Sequence, residues 1–285
     1  MGRGDHIGIM TTNSNLAPLT SRAVIAVSGL DWRDYLQGLV TQDVETLTPG
    51  EIRFGALLTP QGRLLFDLFL AGTADGCLID CAGQYRPALF QRLRMYRLRA
   101  KVELTEVETP VAALWGATTA PEGWGVDPRA AGLGFRGYGA SPPNEVTVVD
   151  EAAYEAHRFV LGLPGPADWG HDKNYPIEAN FDLLGGIDFK KGCFVGQETT
   201  SRMKRRGTIK SRMAPIAFEG APPEPGSPVL AGELRAGQVM AGIGNGAIAL
   251  LRLDRLGEGA LALADGRPCR VIWPAWMGDL TPTVV

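Results

Sequence analysis

The sequence is poor in the nitrogen and sulfur side chains that bind zinc. Its 285 residues include three histidines (His6, His157, His171) and four cysteines (Cys77, Cys81, Cys193, Cys269), with no CxxC pair among them. Zinc needs such groups clustered at short spacing, so no metal site is assigned from pattern. Four thiols in a chain this long make no disulfide framework and suit a reducing compartment. No apolar run approaches the roughly 20 residues of a membrane-spanning helix, and no membrane partner is expected. A GxGxxG turn, a GxxxxGK phosphate loop, an HExxH pair and a nucleophile elbow are all missing, which removes the commonest nucleotide-binding, zinc-protease and serine-hydrolase chemistries. The net charge of −3 excludes a general nucleic-acid coat protein, though not a local basic patch. Residues 1–15 carry neither the apolar stretch of a secretory signal nor the arginine-rich pattern of a transit peptide. They are expected to be a disordered tail or cloning remnant. Together these features point to a cytoplasmic protein, or one matured in an organelle matrix.

What is present is an ordinary globular composition, 45% apolar and 21% charged, in a chain long enough for two or three domains. Ala23 to Ser28 reads as a strand, followed by an Asp31-capped helix running to Val44 with Trp32, Tyr35, Leu36, Leu39 and Val40 on one face. Phe54–Leu58 and Leu64–Leu70 form a hairpin around Pro60-Gln61-Gly62. Cys77 to Cys81 is a strand whose two thiols share a face. Tyr85 to Arg99 is a helix rich in arginine (Arg86, Arg92, Arg94, Arg97, Arg99), either a solvated face or an anion-facing wall, leading into a strand from Lys101 to Leu104. Residues 116–144 form loops or short strands. Val146 to Val149 is a strand and Glu151 to Val160 a helix, stopped at Gly162. From about Gly207, short strands alternate with Gly/Pro turns, as in a small barrel. The expected fold class is therefore α+β, with a main body over residues 16–206 and a C-terminal β-barrel domain over 207–285.

Chemistry concentrates in Pro176 to Arg212. Lys190-Lys191-Gly192 leads to Cys193, and Gly196 to Gln197-Glu198 opens a helix with Glu198 in its first turn. A cysteine beside two lysines and near a helix start has its thiolate favoured, making it a nucleophile, a redox thiol or a soft-metal ligand; a plain turn cysteine is the alternative. Arg202, Lys204, Arg205, Arg206, Lys210 and Arg212 follow, six cations in eleven residues with no acid. This is a solvated face or a rim for a polyanion, such as a polyglutamylated cofactor tail or RNA phosphates. Without interleaved aromatics, nucleic acid is not expected as a direct ligand. His171, in a polar loop, is a weak catalytic candidate.

The run Lys191-Gly192-Cys193-Phe194-Val195-Gly196-Gln197-Glu198, then Arg202 and Arg206-Gly207, resembles the signature of the YgfZ family, relatives of the glycine cleavage T protein. Arg22 to Gly29, Leu36 to Val44, Pro60 to Leu64, and Arg158, Gly162 and Pro164 resemble the family in the same order. The likeness runs from about Leu16 to Ile272. It implies intermixed α+β and β-barrel units around a central hole and tetrahydrofolate or a folate derivative as cofactor. It also implies a role in iron–sulfur cluster assembly or repair, with cluster-assembly or client proteins as partners, tRNA-modifying enzymes among them. Cys193 would then be the functional thiol, a redox group or cluster ligand. Arg202 or Lys204 would meet the acidic folate tail, and Tyr154 would pack on the pterin or sit in the core.

One departure matters. The T protein carries adjacent aspartates in its hairpin strand, where this chain has Phe66-Asp67, so an aminomethyl-transfer mechanism is in doubt. An accessory factor is the leading expectation, with a tetrahydrofolate-dependent one-carbon transferase as the alternative.

Overall fold

The structure, a computed structural model, describes residues 14–207, 209–257 and 259–280. Most of the expected tail, residues 1–13, and the Arg206 side chain lie outside the described residues. Ser14 and Asn15, expected in that tail, instead begin a strand, Ser14–Pro18, which pairs with Val111–Trp115 and Val146–Val148.

The chain forms three sheets. The first has the order Ile52–Leu58, Leu64–Gly72, Gly76–Ala82, Arg22–Ser28 and Glu103–Val107, antiparallel throughout. Helices α1 (Trp32–Gln37) and α2 (Arg86–Arg97) cover one face of it, burying Leu36, Leu89 and Leu93 against Ile25, Leu68 and Ile79. Cys77 and Cys81 belong to this same core, as their spacing predicts, and burial pushes both thiols up to about 12. The second sheet is Val146–Val148, Ser14–Pro18, Val111–Trp115, Phe135–Tyr138 and Trp124–Val126. The third, of six strands between Ser211 and Val271, closes around Ile216, Val229, Val239, Ala249 and Leu251. Helix α3 (Glu151–Val160) starts where the sequence predicts, its N-cap Asp150 accepting from Ala153 N–H at 2.9 Å. A short α4 (Pro166–Trp169) and α5 (Gln197–Arg206) complete the body.

The helix expected over Asp31 to Val44 stops at Gln37. Gly38 follows, and the Gln37 side chain leaves the helix pattern to bind Asp43 and the Val44 N–H, while Val40 bridges to Leu57. Packing against the hairpin competes successfully with a helix of marginal length.

A buried ionic lattice joins the first two sheets. Arg22 pairs with Asp67 (2.8 Å) and Asp80 (2.6 Å), Asp80 with Arg136 (2.5 Å), and Asp127 with Arg129 (2.8 Å) and Arg136 (3.6 Å). Tyr154 accepts from Arg129 at 2.7 Å and Tyr138 donates to Asp80 at 3.1 Å. The three guanidinium groups surround the Phe69 ring, Arg136 at 3.8 Å, Arg129 at 4.8 Å and Arg22 at 5.5 Å. Three cations and three carboxylates balance, which is the condition for burying any of them.

Candidate functional site

Three sequence-distant segments converge on the cysteine loop. The Val40 to Asp43 turn supplies the first. Thr41, fully buried, donates to Gly186 O at 2.6 Å and accepts from Ala56 N–H, and its carbonyl accepts from Asp188 N–H at 3.0 Å. Lys191 reaches back to the same turn, its Nζ donating to Val40 O and Gln42 O, both at 2.7 Å. Burial pulls this ammonium down to about 8, against the opposing pull of Asp43, Asp188 and Glu45. One of the six lysines should therefore titrate near pH 8 in side-chain NMR and vanish in Lys191→Met. A spectrum with all six near the ordinary value of about 10.4 would contradict the placement.

The hairpin turn Pro60 to Arg63 is the second segment. Gly62 and Gly196 face one another so closely that a methyl group on either meets the other. A Cβ on Gly196 would sit 2.6 Å from Thr59 O and 2.9 Å from Gly62 Cα; one on Gly62 would sit 2.9 Å from Thr199 Cβ. Gly196 also has φ +81°, which a side-chained residue resists. Gly196→Ala is expected to cost about 2–4 kcal/mol by combining αL strain with overpacking, read as a lowered denaturant midpoint. A midpoint within error of wild type would show that the two turns do not dock.

The third segment is the signature itself. Phe194 is buried, Thr200 is buried with its hydroxyl donating to Gly196 O at 3.2 Å, and Gln197 donates to Gly192 O at 3.4 Å. Between these anchors, Gly192 and Cys193 are exposed. Lys191, expected to favour the thiolate, spends its proton donors on backbone carbonyls, so its role here is to tether the loop.

Beyond the cysteine, α5 borders a cleft of about 500 Å³ lined by Phe189, Gln197, Glu198, Ser201, Lys204 and Arg205. Lys204 lies 5.4 Å from the Phe189 ring and 3.6 Å from Asp182. Glu198 is exposed and 3.9 Å from Arg202, one helical turn on. Arg202 and Tyr154 are not among the cleft-lining residues. Tyr154 is buried in the core, its ring 5.9 Å from Trp115 and its hydroxyl in the ionic lattice. Arg212 ends the basic run inside the protein, gripping Asp182 through two 2.9 Å bonds, so the run is not a uniform solvated face. Among the described residues no group of three or more potential ligands could hold a metal ion. His171 donates from Nδ1 to Leu65 O (2.9 Å) and stacks on Tyr85. Asp67, the surviving hairpin carboxylate, is buried and held by Arg22.

Phe189, which lines this cleft, has no signal in the sequence beyond its place two residues before Lys191.

The comparisons with known proteins agree with this organisation. A family model described as the CAF17 C-terminal beta-barrel domain matches residues 210–279. The mitochondrial iron–sulfur cluster assembly factor IBA57 homolog of Mycosarcoma maydis is 35% identical over 236 residues, 73% of this chain and 59% of that protein. The Pyricularia oryzae homolog is 30% identical, covering 90% of this chain and 78% of that protein. Human mitochondrial IBA57 is 30% identical, covering 93% and 85%. Among solved structures, the glycine cleavage system aminomethyltransferase T of Bartonella henselae superposes with a TM-score of 0.75 at 16% identity, over 93% of this chain and 86% of that one. The expected α+β body with a C-terminal β-barrel is thereby borne out. The expectation of a cytoplasmic protein is overturned, because these relatives are mitochondrial. That expectation rested on reduced thiols, which cytosol and matrix share.

Proposed function

We propose a function from this premise: the chain belongs to the family of the iron–sulfur cluster assembly factor IBA57. On that basis the protein is an accessory factor for assembly or repair of iron–sulfur clusters, and its partners are assembly or client proteins. The observation that carries this is the exposed Cys193, the one cysteine on a loop tethered on one side by the half-buried Lys191 and on the other by the buried Thr200. A thiol so placed can meet a partner's cluster as a soft ligand, or exchange electrons with it, without the loop refolding. The cluster is cargo, shared with the partner.

Tetrahydrofolate or a related folate is the small-molecule ligand in this reading. The cleft beside α5 suits it chemically: Phe189 offers a ring to stack on, and Lys204 and Arg205 offer cations to an acidic tail. Its volume falls in the range of small-molecule sites. Arg202 is a further cation on the same helix, and Tyr154 supports the body from the core. Calorimetric titration with tetrahydrofolate should give saturable binding that Lys204→Glu/Arg205→Glu weakens at least tenfold; absence of heat with the wild-type protein would remove folate from the account. The narrower likeness to YgfZ proteins extends the client list to tRNA-modifying iron–sulfur enzymes. The division into a body over residues 16–206 and a barrel domain over 207–285 belongs to the same proposal.

The transferase alternative needs a carboxylate to assist the folate nitrogen. Asp67 is ion-paired with Arg22, and its neighbour is Phe66, packed 5.1 Å from the His171 ring. Turnover of an aminomethyl donor by the purified protein would favour that alternative.

A further inference from the structure

The arginine-rich helix α2 has no part in the site above, yet the end of it is unusual. From Arg86 to Lys101 the chain holds six cations and no acid. Arg94 and Arg97 in the last turn complement the helix dipole, but Arg99 and Lys101 lie beyond it. Two turns meet at this end. In one, Trp32 N–H bonds Gly29 O at 3.4 Å and puts Leu30 at the tip. In the other, Ala100 N–H bonds Arg97 O at 2.8 Å and puts Leu98 and Arg99 at the tip. The turns are fastened together: Asp31 N–H reaches Lys101 O at 3.3 Å, and Lys101 N–H reaches the Asp31 carboxylate at 2.7 Å.

Each tip holds a leucine out in water. Leu30 is 84% exposed and Leu98 is 88% exposed, with Met95, one turn before Leu98, at 66%. Leu98 also adopts φ +44°, a backbone conformation that side-chained residues resist. A strained leucine facing solvent contributes nothing to this fold. Single exposed leucines need no explanation, but two on adjoining tips, one of them flanked in the chain by Arg97 and Arg99, do.

We propose that this end of the molecule is a peripheral docking surface for an anionic lipid bilayer. Leu30 and Leu98 enter the acyl boundary while Arg94, Arg97, Arg99 and Lys101 meet the headgroups; Asp34 and Glu103 are the nearby exposed acids that temper the attraction. Projecting apolar tips distinguish a lipid surface from an acidic protein, which the cations alone would serve. The contact is interfacial, since no helix among the described residues is long and apolar enough to cross a membrane. It departs from the expectation of no membrane partner, which considered only spanning segments.

The test is co-flotation of the full chain with phosphatidylcholine vesicles and with vesicles containing cardiolipin as the acidic component. Wild type should partition at least tenfold more strongly onto the acidic vesicles, since their surface attracts basic residues that lie close to it. Leu30→Ser/Leu98→Ser and Arg94→Glu/Arg99→Glu should each lower that partition about tenfold or more, with unchanged thermal midpoints because all four side chains are exposed. In Leu98→Trp, the emission maximum of the added indole should shift to the blue on acidic vesicles alone. Equal partition onto the two vesicle types, or leucine variants that bind as wild type does, would overturn the proposal, and the second result would favour an acidic protein partner.

Discussion

Cys193→Ser should leave the protein folded and remove its ability to sustain iron–sulfur enzymes. Serine preserves the size of the side chain and the turn, so only the sulfur is lost. Oxygen is a hard donor and a poor ligand for cluster iron, and a hydroxyl has no redox chemistry in this range. The position is exposed, and a Cβ on the neighbouring Gly192 would meet nothing within 4 Å, so the surroundings tolerate exchange. Surface substitutions of this kind usually stay within about 0.5 kcal/mol of wild type. In a strain lacking the protein, the variant should restore less than about one tenth of the client activity restored by wild type at equal abundance. Gly196→Ala is the informative companion, because it should lower stability and rescue together. Full rescue by Cys193→Ser would show that the loop acts by shape alone.

How far this was legible in the sequence follows from the range of the forces involved. Turn glycines, the Asp150 cap and the apolar runs on either side of the Pro60-Gln61-Gly62 turn act over a few residues, and they mark those elements correctly. The cysteine motif is likewise local, and its exposure follows from polar, glycine-bearing surroundings. The meeting of Gly62 with Gly196, or of Lys191 with the Val40 and Gln42 carbonyls, joins residues more than a hundred positions apart and has no local signal. Arg212 shows the same limit from the opposite side. In a run of six cations it reads as solvent-facing, yet Asp182, thirty residues earlier, draws it into the core. The clues to the ionic lattice are Asp67 and Asp80, lone charges within the otherwise apolar strands Leu64–Gly72 and Gly76–Ala82, which can exist there only with partners. The sequence does not say that those partners are Arg22 and Arg136.

That lattice yields the largest expected effect on stability. Asp80→Asn removes the carboxylate shared by Arg22 and Arg136 and leaves both guanidinium groups buried beside a neutral amide. Stripping one partner from a buried pair typically costs about 3–5 kcal/mol, because the remaining charge keeps its desolvation penalty. For a chain of this size the thermal midpoint should fall by roughly 10 °C. The acid limb gives an independent check. Asp80 and Asp127 are held below the ordinary carboxylate range: burial opposes the charged form, but the attraction of Arg22 and Arg136 for the one, and of Arg129 for the other, outweighs it. A carboxylate lowered in the folded state binds its proton more weakly there than in the unfolded chain. Its contribution is therefore complete above about pH 4 and drains away as the pH falls below that value. Burial raises Asp168 and Glu178, which act with the opposite sign and soften the profile above pH 4. Wild type should lose stability steeply below pH 4, and Asp80→Asn should start lower and fall less steeply. Asp80→Asn/Arg136→Gln should cost less than the two single losses added, since the second change removes a charge the first has stranded. Additive losses, or parallel acid limbs for wild type and Asp80→Asn, would mean that Asp80 and Arg136 are not coupled and that their bond does not fasten the two sheets.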